Sequence, residues 1–405
     1  MNNFSETLTT DQPVRPQRLI VAIALFLLTT GGIILNLYGW KQSVLFLIGG
    51  LLGITLYHAR FGFASAYRRL IVERDVTSIY AQLLMLAIAT LLFAPILASG
   101  TVWGQNVRGA IAPIGLSGAI GAFLFGIGMQ LGGACGCGTL YTIGGGSLNM
   151  IITLITFSIG AFFASLTRQF WAGLPSIEPI VLGNNFGWTV AVVLQWIIFI
   201  LLAVLLYWWS KGNISPSEIF LTKQEKPSLV SILRGPWSVG IGGVLLAILN
   251  CFTLILSGQP WRITWGFALW MAQIAKQFGW DSSSSPFWAS ESAQAVLSKS
   301  ILADVSSVMN IGLVLGALLA AGLAGKWIPN NQLKSPLIII NLLGGLIMGY
   351  GAFLAAGCNV SAFFGGIAST SIHGWVWIIF ALIGTWFGVH CRLFLQNAIN
   401  TRPHT

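Results

Sequence analysis

From Leu19 onward the chain alternates long apolar runs with short polar connections. About 20 apolar residues, wound as a helix, cross the hydrocarbon core of a bilayer. On that measure the runs predict ten spans, near 19–37, 43–57, 79–99, 110–131, 148–166, 188–209, 237–257, 305–325, 336–356 and 374–396. Four further pieces, 60–72, 132–147, 262–278 and 357–373, are shorter or broken by glycine. Backbone of that kind survives at membrane depth only when buried in protein or lining a cavity, so these read as interfacial or re-entrant segments. The predicted fold class is an all-α polytopic membrane protein with short re-entrant helices.

The pattern also repeats. A shift of 223 positions lays Gly121, Gly126, Gly128 and Cys135 on Gly344, Gly349, Gly351 and Cys358. One inserted residue later, Ile159-Gly160 and Phe163 fall on Ile383-Gly384 and Phe387. Matched residues at fixed spacing predict a duplicated unit. Counted from a cytoplasmic N-terminus, the span before Cys135 runs inward and the span before Cys358 runs outward, so two inverted repeats are expected. That arrangement places a binding site near the bilayer midplane, where broken helices meet. The predicted organisation is an N-terminal tail with an extra span (1–42), a first repeat (43–209), a cytoplasmic linker (210–236) and a second repeat with the C-terminal tail (237–405).

Composition excludes a soluble globule. Hydrophobic residues make up 56% of the chain and charged residues only 7%, too little polar surface to cover such a core. The net charge of +10 would suit nucleic acid if it formed a patch, but the basic residues are scattered through short loops. Topology accounts for them instead. With the N-terminus inside, 14 of the 20 Lys and Arg lie on the cytoplasmic side, and only Lys41, Arg108, Arg168, Arg262, Lys276 and Lys299 lie outside. The positive-inside rule then predicts that both termini lie in the cytoplasm. Residues 1–17 carry no small-residue cleavage signal, so the first span is expected to stay. The five cysteines lack the spacing of a secreted disulfide framework, and no Gly-x-x-x-x-Gly-Lys-Ser/Thr loop offers an ATP site.

Candidate chemistry collects in two glycine-rich loops, each centred on a cysteine. The stretch Gly132-Gly133-Ala134-Cys135-Gly136-Cys137-Gly138-Thr139, with Gly144-Gly145-Gly146-Ser147 after it, exposes backbone N–H groups and lets a ligand come close. Helices beginning near Ser147 and Ser371 would turn their positive ends toward an anion, which removes the need for a buried lysine or arginine. The thiols of Cys135 and Cys358 are weak S–H donors with a polarizable surface, matched to a soft sulfur atom rather than to an all-oxygen anion. Gly133, Gly136, Gly138, Thr139 and Asn359 complete the expected substrate site. Cys137 is included in a supporting place, because the glycines on either side are expected to turn its side chain away from that of Cys135. A metal at Cys135 and Cys137 would lack ligands, since the chain has four histidines and no carboxylate nearby. Cys251 and Cys391 read as packing residues, His373 as an interfacial or capping histidine, and Asn310 as a polar group facing the interior. Glu73 and Asp75 read as surface partners of Arg69 and Arg74.

At four places the sequence resembles the YeeE/YedE family of sulfur-compound transporters. These are Arg60-Phe61-Gly62-Phe63-Ala64-Ser65-Ala66, Gly133-Ala134-Cys135 through Gly138-Thr139-Leu140-Tyr141, Asp304-Val305-Ser306-Ser307-Val308-Met309-Asn310, and Gly357-Cys358-Asn359 through Ser371-Ile372-His373-Gly374-Trp375. The resemblance implies an hourglass-shaped helical channel or carrier, constricted by loops whose cysteines, here Cys135 and Cys358, relay thiosulfate through S–H contacts. It further implies a small sulfur-containing anion as cargo and a TusA/SirA-like cytoplasmic sulfur carrier as partner, with no cofactor and no enzymatic activity. Two positions depart from the pattern. Ala64 stands where thiosulfate-uptake members commonly have a further cysteine, and Cys137 stands where a small residue such as serine is expected. Two alternatives stay open: a transporter of a selenium compound, and a membrane sulfurtransferase passing a persulfide to a carrier. The second lacks a histidinium or lysine placed to activate a thiolate.

Overall fold

Inside a bilayer no water serves the backbone, so a spanning segment must bond its own amides, and a helix does this. The computed structural model describes residues 15–214, 219–220, 229–329 and 335–400. Among these residues it has ten helical spans and only two-residue strand pairs, an all-α polytopic membrane protein. The terminal tails and part of the expected linker lie outside the described residues.

The long helices are α1 (Arg18–Leu35), α2 (Trp40–His58), α4 (Thr77–Ser99), α5 (Leu116–Gly132), α7 (Asn149–Leu166), α8 (Trp188–Trp209), α9 (Val239–Ser257), α11 (Val305–Leu323), α12 (Ser335–Leu354) and α14 (Ile372–Asn400). Between them lie four shorter pieces: α3 (Phe63–Glu73), α6 (Gly136–Gly144), α10 (Ile263–Gln277) and α13, a π-helical turn Asn359–Phe364 running into Gly365–Ala368. These occupy the segments that looked too short or too broken to cross. One boundary moves by several residues, since the span expected from 110 begins at Leu116. Pro113 has no N–H to give a helix, and Ile114–Gly115 instead pairs with Ser176–Ile177 as a short ladder. The connection between α10 and α11 folds into an aromatic cluster around the buried Trp288, whose indole N–H donates to Ser165 Oγ at 2.7 Å.

Apolar side chains gain nothing by leaving lipid for another apolar surface, so helix contact here depends on close backbone approach. Glycines provide it. A Cβ at Gly121 would stand 2.7 Å from the Gly351 carbonyl oxygen, and one at Gly128 would stand 2.7 Å from that of Gly344. Gly126 lies against the Ala381 carbonyl and Gly349 against that of Phe157, while Gly160 meets Leu346 and Gly384 meets Phe123. Each of these contacts becomes another in the set when residues 223 or 224 positions apart are exchanged. Helix partnerships follow the same exchange: α2 packs on α11 as α9 packs on α4, α7 on α12 as α14 on α5, and α6 on α11 as α13 on α4. Among the described long helices only α1 and α8 have no counterpart, and most of the surface of each is left uncovered by the rest of the protein.

Candidate functional site

Cys135 and Cys358 each hold the residue just before a short helix, with nearly the same backbone: φ −84°, ψ −177° for the first and φ −98°, ψ −167° for the second. Two residues earlier the chain is left-handed in both loops, at Gly133 (φ 85°) and Ala356 (φ 60°). Alanine tolerates that conformation only at a cost of roughly 1–2 kcal/mol, so the turn is held by its surroundings. The N–H groups of Phe63 and Gly138 face the Cys135 sulfur. Those of Val360 and Ser361 face the Cys358 sulfur, with Ser361 Oγ 3.8 Å away and the Thr264 hydroxyl alongside. α3 and α6 therefore both turn backbone N–H groups to one thiol, whereas at the other the N–H groups come from α13 and α10 brings only the Thr264 side chain. Helices do begin near Ser147 and Ser371 as expected, at Asn149 (α7) and Ile372 (α14), while the N–H groups that face the sulfurs belong to the broken helices.

Gly136 lies between the two loops. A Cβ there would stand 3.6 Å from Cys358 Sγ, 3.6 Å from Ile263 and 3.8 Å from Phe267. Cys135, Cys137 and Cys358 are each 1% exposed, enclosed by Phe63, Phe267, Phe363 and Phe364. The expected divergence of Cys135 and Cys137 is not found, because their sulfurs approach to 3.5 Å. One turn of α6 begins at Cys135, and its first-turn side chains fold back over the capping residue. Cys137 also borders a small void with Asn250 and Trp261, whose Oδ1 and Nε1 have no hydrogen-bond partner. Thr139 is buried beside them but its hydroxyl donates to the Cys135 carbonyl at 2.9 Å, so it holds the loop's shape. Asn359 is fully buried; its amide N–H reaches Met129 Sδ at 3.3 Å, and its Oδ1 has no partner. Asn310 donates to the Ile263 carbonyl at 3.2 Å and so fixes the start of α10. Of the other two cysteines, Cys251 is buried in α9 as expected of a packing residue, while Cys391 is exposed on α14. Asp75 pairs with Arg69 at 3.4 Å as expected.

A cavity of about 600 Å³ opens beside Cys358. Arg108, Arg168 and Arg262 line it, and its walls reach His373, Thr264 and Ser361, the last two being neighbours of the Cys358 thiol. His373 is buried there and shares a 2.8 Å hydrogen bond with Ser371 Oγ. Arg262 lies over the Trp265 ring and Arg168 over that of Phe287. Asp304 lies behind Arg262, accepting from Ser307 N–H at 2.8 Å and from Trp265 Nε1; burial raises its carboxyl above the usual range. No local motif marks these arginines, which come from three separate connections. On the other side of the thiols, Arg392 of α14 donates to the Gln130 carbonyl at 2.6 Å and lies over Gly133. Arg68 of α3 reaches Gln130 Oε1 at 3.4 Å. The sequence reading missed this pair, although Arg392 stands 224 positions after Arg168, the offset that already relates Gly160 to Gly384.

Residues 58–387 match the family described as sulphur transport. The thiosulfate transporter TsuA of Spirochaeta thermophila is 27% identical over 355 residues, covering 84% of this chain and 96% of the relative. TsuA of Escherichia coli is 23% identical over 354 residues, covering 84% and 91%. The probable transporter YedE of Escherichia coli is 32% identical over a shorter 154 residues, 37% of this chain and 36% of the relative. With the four broken segments and both cysteine loops inside the matched region, this chain belongs to the sulphur-transport family, the YeeE/YedE group of membrane transporters.

Proposed function

We propose that this protein imports thiosulfate or a related sulfur-containing anion across the bacterial cytoplasmic membrane, passing it from the Cys358 thiol to the Cys135 thiol. The observation that carries this reading is the meeting of broken-helix starts at each thiol, those of α3 and α6 at Cys135 and that of α13 with Thr264 of α10 at Cys358, with Gly136 lying between the two loops. Each helix start presents roughly +0.5 of a charge, so the two at each thiol offer about +1 to an anion in passage. S–H groups and backbone N–H groups supply the contacts, and water is excluded. In this reading the arginine-lined cavity gathers anions from outside, both termini lie in the cytoplasm, and residues 43–209 and 237–397 are inverted repeats about a site at the midplane. The exchange-symmetric glycine and helix contacts support that arrangement.

A second reading has one observation in its favour, the 3.5 Å approach of Cys135 and Cys137. In it a thiolate takes the outer sulfur of thiosulfate, the new Cys S–S bond forming as the thiosulfate S–S bond breaks and sulfite leaves, and a TusA/SirA-like carrier then receives the sulfur. Persulfide-tag mass spectrometry after thiosulfate exposure separates the two: transport by contact leaves all thiols unmodified. Uptake of radiolabelled thiosulfate into proteoliposomes, with sulfate, sulfite and selenite as competitors, tests the cargo. Soft-sulfur recognition predicts saturable uptake that sulfate inhibits weakly, and inhibition by sulfate as strong as by unlabelled thiosulfate contradicts it.

A further inference from the structure

The Arg68–Arg392 pair has no place yet in the passage. Ser117, Gly118 and Ala119, at the start of α5, line the arginine cavity, whereas Gln130 stands near its other end, about 16 Å along at 1.5 Å per residue. At that end Gln130 is fully buried and ties two elements together, its amide donating to the Ala64 carbonyl of α3 and its carbonyl accepting from Arg392 of α14. The result brings two guanidinium groups, each partly buried, within electrostatic reach of one another. Among the described residues neither forms an ion pair with a carboxylate; Glu73, on α3, is exposed and only in longer-range reach of Arg68. Two cations held together at reduced dielectric repel, and a shared anion removes that cost. Capping a helix end uses one of the five N–H donors of Arg392, so it does not account for Arg68 beside it.

We propose that Arg68 and Arg392 form a binding site for a divalent oxyanion on the far side of Cys135 from the arginine cavity. Arg392 takes there the place that Arg168 takes at the opposite end, in keeping with the 224-residue offset between them. As a release station for the cargo the site rests on the proposed transport; as an anion site it stands on its own geometry.

The test is arginine modification of the purified full-length protein by phenylglyoxal, read peptide by peptide by mass spectrometry, in gluconate buffer and with added sulfate or thiosulfate. Both arginines are expected to react in gluconate, and millimolar sulfate or thiosulfate is expected to slow both at least fivefold. The same protection is expected in the Cys135→Ala, Cys358→Ala protein, which isolates the site from the relay. Failure of either arginine to react in gluconate, or rates indifferent to divalent anions, overturns the site. Protection together with undiminished uptake by the cysteine variants would leave the site standing and remove the relay instead.

Discussion

The two cysteine loops share a backbone and differ in chemistry. Each has a left-handed residue, then an extended cysteine, then a helix start whose N–H groups turn to the sulfur. Around Cys358 the neighbours are hydroxyls, Ser361 and Thr264, which also border the open cavity. Around Cys135 the neighbour is a second thiol, and beyond it lies the Arg392 side chain. The common part is what a divalent anion needs at any point of a buried path: positive helix ends and no competing water. In the proposed transport the differing part would grade the path, with hydroxyls on the side that meets solvent and softer sulfur deeper in.

Gly136 is where the comparison breaks most sharply, because it is the step between the loops. Its added methyl would meet its neighbours at ordinary contact distances, so Gly136→Ala should fold normally and still cut thiosulfate uptake more than tenfold by filling the space between the sulfurs. Unchanged uptake in proteoliposomes would mean that the cargo passes elsewhere. A smaller effect is expected at the cavity. Arg108→Gln with Arg168→Gln, chosen because Asp304 sits behind Arg262, should lower uptake about tenfold at subsaturating thiosulfate while leaving the saturating rate near wild type. A fall in the saturating rate alone would assign these arginines a different role. Cys137→Ser should keep uptake within about threefold, since serine retains a donor against the Cys135 sulfur. Loss of all uptake there would favour two-thiol chemistry and the persulfide reading. Smallest of all, Cys251→Ala and Cys391→Ala should be indistinguishable from wild type in uptake, since Cys251 is buried in α9, Cys391 is exposed on α14, and neither thiol has a part in the proposed relay.

Much of the fold was legible because the bilayer leaves few choices. Apolar length located the ten spans, and two of the glycines that carry the 223-residue repeat, Gly121 and Gly128, seat α5 on α12. The broken segments were legible for the opposite reason, being too short or too rich in glycine to cross. What could not be read was which helix starts would meet the cysteines, since α3 and α10 reach them from residues 70 or more positions away. The direction of the Cys137 side chain was misread because one helical turn after a cap folds its side chains back, while a looser glycine turn was assumed. The arginines escaped for want of any local pattern. Arg392 looked like the polar end of a span, and only the carbonyl of Gln130, 262 positions earlier, shows where it points.

Most direct is radiolabelled thiosulfate uptake into proteoliposomes holding equal amounts of folded wild-type, Cys135→Ala or Cys358→Ala protein. If each thiol is an obligatory step at its pair of helix starts, both variants lose uptake by at least a hundredfold while keeping wild-type thermal stability. Wild-type uptake by either one would contradict the relay.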